Sequence, residues 1–366
     1  MSPFFFFSGG FFVLPDASLN FAVAGATYIA IKIIFNGHDS NMIWVILGSL
    51  LSIAFLSKYQ SYIFGIALFI SFLIWKKDTI FSINFFIALL VSICGLLPVL
   101  IWNFENNFDS FRFHQNRSSF NIDIIHILNS IIAQLLLLLP TTAALIIFSL
   151  FKPIRCYLKK ECFLLVLALP TILIFNIFIL LSDSSFSHWS MMGWMLLLPM
   201  ASNSLVSLKS LKFHVVGLKI LNVFVVFSLI FTVSLHAKTG FLTKKYFEKP
   251  PPWDDTRELL DWKKISFILE NNLTKNDLTS IATLNWFDSG QLSSAFNYRY
   301  MVGVLGKNNN HFKYIGLSNK NFTTLIDVQL INNPNNMNLD EKMHTLGYKI
   351  INQLDLPFLR GSEQYG

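Results

Sequence analysis

Apolar residues fill the first two thirds of the chain in blocks of about 20, separated by short polar breaks, a spacing that predicts helices long enough to span a bilayer. The blocks fall near Ala17–Phe35, Met42–Ser57, Ser61–Trp75, Ile80–Trp102, Ile124–Phe151, Glu161–Leu181, Met191–Leu205 and Phe213–Leu235, about eight spans in all. The second and third are short and divided only by "SKYQ", so they are tilted or partly re-entrant on this reading. The opening "MSPFFFFSGGFFVLPD" has no basic leader and no small-residue cleavage site, which makes it a poor signal peptide and a candidate half-helix.

The pattern changes near residue 237 to lysine, asparagine and aspartate, with "EKPPPWDDT" as a proline-marked hinge. In "DDTRELLDWKKISFILENN", Asp255 is placed to cap a helix, with Glu258 three positions on and Leu259, Trp262 and Leu269 on one face. "TSIATL", "DSGQLSSAF" and "YMVGVLG" then read as strand, helix and strand, and "FTTLIDVQLI" as one strand more. The expected architecture is an all-α polytopic membrane domain over residues 1–236, followed by a small α/β extracytoplasmic domain over residues 237–366.

Composition supports the membrane reading, since 53% of the 366 residues are hydrophobic, 13% are charged and the mean hydropathy is +0.53. A water-soluble fold could not bury 38 phenylalanines, whereas lipid accepts them. The net charge of +7 belongs to membrane topology rather than to nucleic acid, because the basic residues cluster between the apolar blocks. With the carboxy-terminal tail outside, Lys76, Lys77, Lys152, Arg155, Lys159, Lys160, Lys209 and Lys212 face the cytoplasm. The outer connections then hold only Lys58, Arg112 and Arg117, and Asp16, the loop Trp102–Phe120 and His188 share their side. Cys94, Cys156 and Cys162 form no disulfide framework or zinc spacing. There is no glycine-rich phosphate loop, no HExxH and no Asp-x-Asp pair, so no metal or cofactor is expected.

The candidate chemistry lies at the outer breaks. Trp102–Asp123 carries Glu105, Asp109, Arg112, His114 and Arg117 among aromatic residues, as a segment lying on the membrane surface would. His114 and Arg117, three apart, share a face on a helical turn, and such a cationic pair suits a phosphate. The bland reading is a solvated loop charge for each of them. Asp16, after Pro15, is a functional carboxylate or a charge favoured by the helix dipole. Lys58 and His188 are ligand-contacting groups or interfacial anchors. His126, His214 and His236 read as structural.

"SPFFFFSGGFFVLPDASLNFAVAG", "GSLLSIAFLSKYQSYIFG", "LLPVLIWNFENNFDSFRFHQNRS" and "SHWSMMGWMLLLP" resemble, in that order, the membrane motifs of polyprenol-dependent glycosyltransferases of the GT-C class. The nearest kinds are protein mannosyltransferases (glycosyltransferase family 39) and the aminoarabinose and galacturonic acid transferases of bacterial lipid A. "DDTRELLDWKK" and "ATLNWFDSGQLSSAF" are similar to the tails of bacterial members. The resemblance implies a hexosyl or pentosyl transferase of the bacterial inner membrane, multi-pass, with its carboxy-terminal domain periplasmic. The donor would be a polyprenyl-phosphate-linked sugar and the acceptor a lipid, a glycan or a protein.

Carried over by position, Asp16 matches the acidic residue of the family's Pro-Asp motif, the catalytic candidate that supports donor or acceptor positioning. Lys58 matches the lysine of Ser-Lys-Tyr, and His114 with Arg117 matches the basic pair after the first long apolar block. These three are expected on phosphate, with Arg112 beside them and His188 lining the cavity. Members begin with a further helix and an outer loop bearing an acidic residue, and this chain starts downstream of both, so a missing beginning is expected. The alternative is a non-catalytic relative acting as a lipid-linked sugar carrier or assembly partner. A transporter ranks lower, because no helix-breaking pair sits at mid-depth in corresponding helices.

Overall fold

The structure is a computed structural model that describes residues 2–6, 14–115, 124–151, 158–181, 187–207, 212–241, 261–305, 310–317, 322–327, 343–356, 359–360 and 363–364. Its chain separates into two compact units, Met1–Val226 and Phe227–Gly366. The division falls inside the last long helix of the apolar region.

The first unit is helical. After the four-residue α1 (Pro3–Phe6) come α2 (Pro15–Asn36), α3 (Asn41–Ser57), α4 (Gln60–Trp75) and α5 (Ile83–Glu105). Then follow α6 (Asp109–Gln115), α7 (Ile124–Leu138), α8 (Pro140–Leu150), α9 (Lys159–Leu181), α10 (Met191–Ser207) and α11 (Lys212–Thr239). Among the described residues, Pro15–Asn36, Ile83–Glu105, Lys159–Ile179 and Val216–Thr239 are long and apolar enough to cross a membrane, which makes this a multi-pass membrane protein. That is fewer than the eight spans expected. α3 and α4, at 17 and 16 residues, are short apolar helices reaching about 24–26 Å at 1.5 Å per residue, less than a hydrocarbon core of roughly 30 Å.

The block expected as one helix over Ile124–Phe151 is two, bent by 102°. The cause is local. Pro140 offers no amide to continue α7, and Leu139 before it takes a positive φ of 71°. Pro140 then opens α8 as its first residue, where a missing amide costs nothing. The Ser2 hydroxyl donates to the carbonyl of Leu137, a group the break leaves without a helical partner (2.6 Å).

One hydrophobic core joins α2, α3 and α4 to α8, α9 and α10 through Trp44, Phe64, Phe72, Phe163, Leu167 and Met200. α3 and α5 approach most closely, because small residues face each other there. A Cβ on Gly48 would stand 2.5 Å from the carbonyl oxygen of Ala88, and one on Gly95 would overlap the backbone of Ser52. Without a strong hydrophobic drive between helices in lipid, such contacts supply the association through dispersion. At one end of the unit, the ammonium of Lys76 donates to the Ile33 carbonyl (2.8 Å) and Lys160 reaches Asn36 (3.5 Å). At the other end lie the amino terminus of α2, the junction of α3 with α4, and the carboxyl terminus of α5.

In the second unit, Asp261 caps α12 (Trp262–Asn272) by accepting from the Lys264 amide, and Thr274 caps α13 (Lys275–Thr279) in a reciprocal box with Asp277. The cap expected at Asp255 lies outside the described residues. β1 (Ile281–Thr283), α14 (Trp286–Ala295) and β2 (Val302–Val304) form the expected βαβ unit, with β1 and β2 parallel and β3 (Thr324–Leu325) on the other side of β1. β1 is buried throughout, as a central parallel strand must be. A short hairpin pairs β4 (Leu359–Arg360) with β5 (Glu363–Gln364).

Gly95→Val is expected to overpack the α3–α5 contact and destabilise the bundle by about 1–3 kcal/mol. Thermal unfolding of the full chain in detergent would show this as a Tm lowered by roughly 2–4 °C per kcal/mol. Gly217→Ala, whose new Cβ meets nothing within 4 Å, should leave Tm unchanged or slightly raised.

Candidate functional site

Asp16 is the second residue of α2, in a first turn whose entry residue Leu14 makes no side-chain cap. Its carboxylate is therefore free to point across the helix end, and it accepts from the Lys58 ammonium at 2.7 Å. Both readings of Asp16 hold together, since the positive end of the helix dipole also favours its charge. Lys58 owes its place to the break between two helices. Its amide donates to the Ala54 carbonyl and ends α3, while its own carbonyl accepts the amide and hydroxyl of Ser61 and begins α4. The α2 and α3 ends are tied a second time by the Ser57 hydroxyl donating to that of Ser18 (2.9 Å).

The pair is unequally exposed. Asp16 is buried, and the Lys58 side chain keeps 23% of its surface. An ion pair of this kind anchors a cation while leaving part of it open to an approaching anion.

His188 feels both charges of the pair. It sits on a single 3-10 turn, Ser187–Ser190, outside the spanning helices and directly before α10, and its ring stacks on Phe4 (centroids 6.2 Å apart, 23° between planes). Burial holds its pKa below the ordinary imidazole value, the Lys58 charge lowers it further, and the Asp16 charge opposes both. The imidazole is thus neutral near pH 7, a hydrogen-bonding group rather than a cation. Asp16 and Lys58 thus pair directly, and both act electrostatically on His188.

Of the remaining candidates, only the Arg112 side chain lies within the described residues. Arg112 lies exposed on the short α6. That helix leaves α5 through Asn107 and Phe108, both at positive φ (53° and 57°). His114 is on α6 with its side chain outside the described residues, and Arg117 lies wholly outside them. The expected cationic face shared by His114 and Arg117 therefore has no described geometry.

Sequence reasoning missed two sets of neighbours. The Asn103 amide, buried at the end of α5, donates to the hydroxyl of Tyr59 beside Lys58 (3.2 Å). Gln134 of α7 joins Asn176 of α9, Ser190 of the His188 turn and Trp194 of α10. Isolated amides inside the apolar runs "IIHILNSIIAQLLLL" and "ILIFNIFILL" were the available signal.

Residues 2–102, which include Asp16 and Lys58, match the family described as dolichyl-phosphate-mannose-protein mannosyltransferase. The match covers less than a third of the chain, and together with the multi-helix membrane fold it supports a glycosyltransferase-like membrane protein in general. No curated protein and no solved structure matches the chain.

The charges make His188 a reporter of the pair. Lys58→Met should move the His188 pKa up, and Asp16→Asn should move it down, as read by histidine NMR titration in nanodiscs. Because the folded pKa is depressed, His188 contributes stability that is full above the unfolded value of about 6.5 and is lost as pH falls through the folded value. The pair itself is testable by a double-mutant cycle. Lys58→Met alone, which strands a buried carboxylate, should cost more stability than Lys58→Met with Asp16→Asn.

Proposed function

We propose that this protein transfers a sugar from a polyprenyl-phosphate donor to a hydroxyl-bearing lipid, glycan or protein acceptor at the outer face of a bacterial inner membrane. The observation that carries the reading is the partly open Lys58 ammonium, anchored by Asp16 within a segment similar to a family of lipid-phosphate-sugar transferases. On this reading residues 1–236 hold the transfer site and residues 237–366 are periplasmic.

In the reaction the acceptor oxygen attacks the anomeric carbon, and the bond from that carbon to the phosphate oxygen breaks. Polyprenyl phosphate departs with the electron pair, and the acceptor proton passes to a base. Charge grows on the leaving phosphate as the bond opens, so a fixed cation there is worth more in the transition state than in the bound donor. Lys58 is placed to be that cation. Asp16 holds it in position, which spares the reorganisation a free lysine would need. His114 and Arg117 add phosphate contacts from the outer loop, with Arg112 beside them. Asp16 and the neutral His188 would be the proton acceptors, with His188 lining the cavity.

Lys58→Ala is expected to lower kcat for transfer from a polyprenyl-phosphate-linked sugar by roughly 100-fold or more, as loss of a preorganised charge-stabilising donor does in other enzymes. Arg117→Ala and His114→Ala should lower turnover more than they lower membrane abundance. A radiolabelled-donor assay with quantitative immunodetection separates the two, and equal loss of both would assign those residues to structure.

A further inference from the structure

Gln134 is nearly inaccessible, at 3% exposure, in the apolar second half of α7, Ile131–Leu138. A carboxamide in such a place persists only when all its polar atoms are used. Its Oε1 accepts from the Ser190 hydroxyl (2.7 Å) and from the Trp194 indole Nε1 (3.0 Å), and its Nε2 donates to the Asn176 Oδ1 (2.9 Å). The Asn176 Nδ2 in turn donates to the Ile172 carbonyl (2.7 Å). The direction of this chain is forced. An indole nitrogen can only donate and a backbone carbonyl can only accept, so neither amide can flip without opposing like groups.

What the network holds is the turn that carries His188. Ser190 is the last residue of that turn, fully buried, and Trp194 lies one helical turn further along α10. The turn also packs on α7 and α9, the two helices that Gln134 and Asn176 link. The His188 backbone is thereby fixed from below, and its ring from the side by Phe4.

We propose that Gln134 is the positioning residue of this site: its carboxamide clamps the turn Ser187–Ser190 between α7 and α9 and so sets where the His188 imidazole stands relative to Asp16 and Lys58. The catalytic consequence rests on the transferase reading, and the structural one does not. Glutamate would be a poor substitute despite its shape, because its second oxygen would face the Asn176 Oδ1. Leucine would strand the Trp194 nitrogen and both neighbouring polar groups.

The test uses the full chain in nanodiscs with ring-labelled histidine. Gln134→Leu should shift the His188 resonance more than that of any other of the eight histidines. Ser190→Ala and Trp194→Phe, each removing one donor, should shift it less and in the same direction, and they decide the matter if Gln134→Leu does not fold. Asn129→Leu, on the exposed face of α7, is the control and should leave it in place. In the transfer assay Gln134→Leu should lower kcat by about 10–100-fold with KM for the donor nearly unchanged, the signature of a misplaced group. An unmoved His188 resonance in the folded variants, or an equal shift in the Asn129→Leu control, would overturn the proposal. If the wild-type chain transfers no sugar while the resonance shifts as expected, the transferase reading fails and the clamp stands.

Discussion

Inside hydrocarbon there is no water to satisfy a polar group, so every donor and acceptor taken into this bundle must find its partner within the protein. The backbone meets that demand by forming helices, buried hydroxyls such as those of Thr27 and Ser71 donate to carbonyls of their own helix, and some polar side chains pair across helices. Asp16 with Lys58 and Gln134 with Asn176, Ser190 and Trp194 are two solutions of different kinds. The first is a charged pair at a helix end, open on one side, while the second is neutral and buried. The contrast separates a group able to meet a ligand from groups that hold the scaffold.

Helix packing turns that demand into a site. Gly48 and Gly95 let α3 and α5 approach closely, which brings the end of α3, with Lys58, beside the end of α5, with Asn103 and its bond to Tyr59. α2 packs along α3, and its first turn delivers Asp16 to the same place. The break at Leu139 and Pro140 then frees α7 and α8 to serve different neighbours, α7 supporting the His188 turn and α9, and α8 packing on α10. A straight helix of that length could not do both. The bend is thus part of how the two sides of the site are held.

The electrostatics follow from this placement. His188 faces a cation and an anion that are themselves paired, so their effects on it largely oppose, and burial decides the direction in which its pKa moves. An unpaired lysine there would press the histidine harder and would itself be less well held.

Much of this was legible along the chain, because lipid imposes a coarse rule that composition alone obeys. Runs of apolar residues near 20 long become helices, prolines and short polar breaks end them, and strand-like triplets around an amphipathic segment become a βαβ unit. Asp16, Lys58 and His188 could be marked because each is a charged or titratable group at the edge of an apolar run, where desolvation makes it conspicuous. The bend within 124–151 was missed because Pro140 at mid-block is compatible with a kinked helix as well as a broken one, and only the packing of α8 on α10 selects the break. Gln134 was missed because a single amide costs little to read past, while its value depends on three partners 42, 56 and 60 positions away. Sequence by itself determined where the chain enters lipid and which groups cannot be left bare there. Tertiary structure alone decided which of those groups meet, since a hydrogen bond or ion pair depends on distances that close packing of distant helices sets.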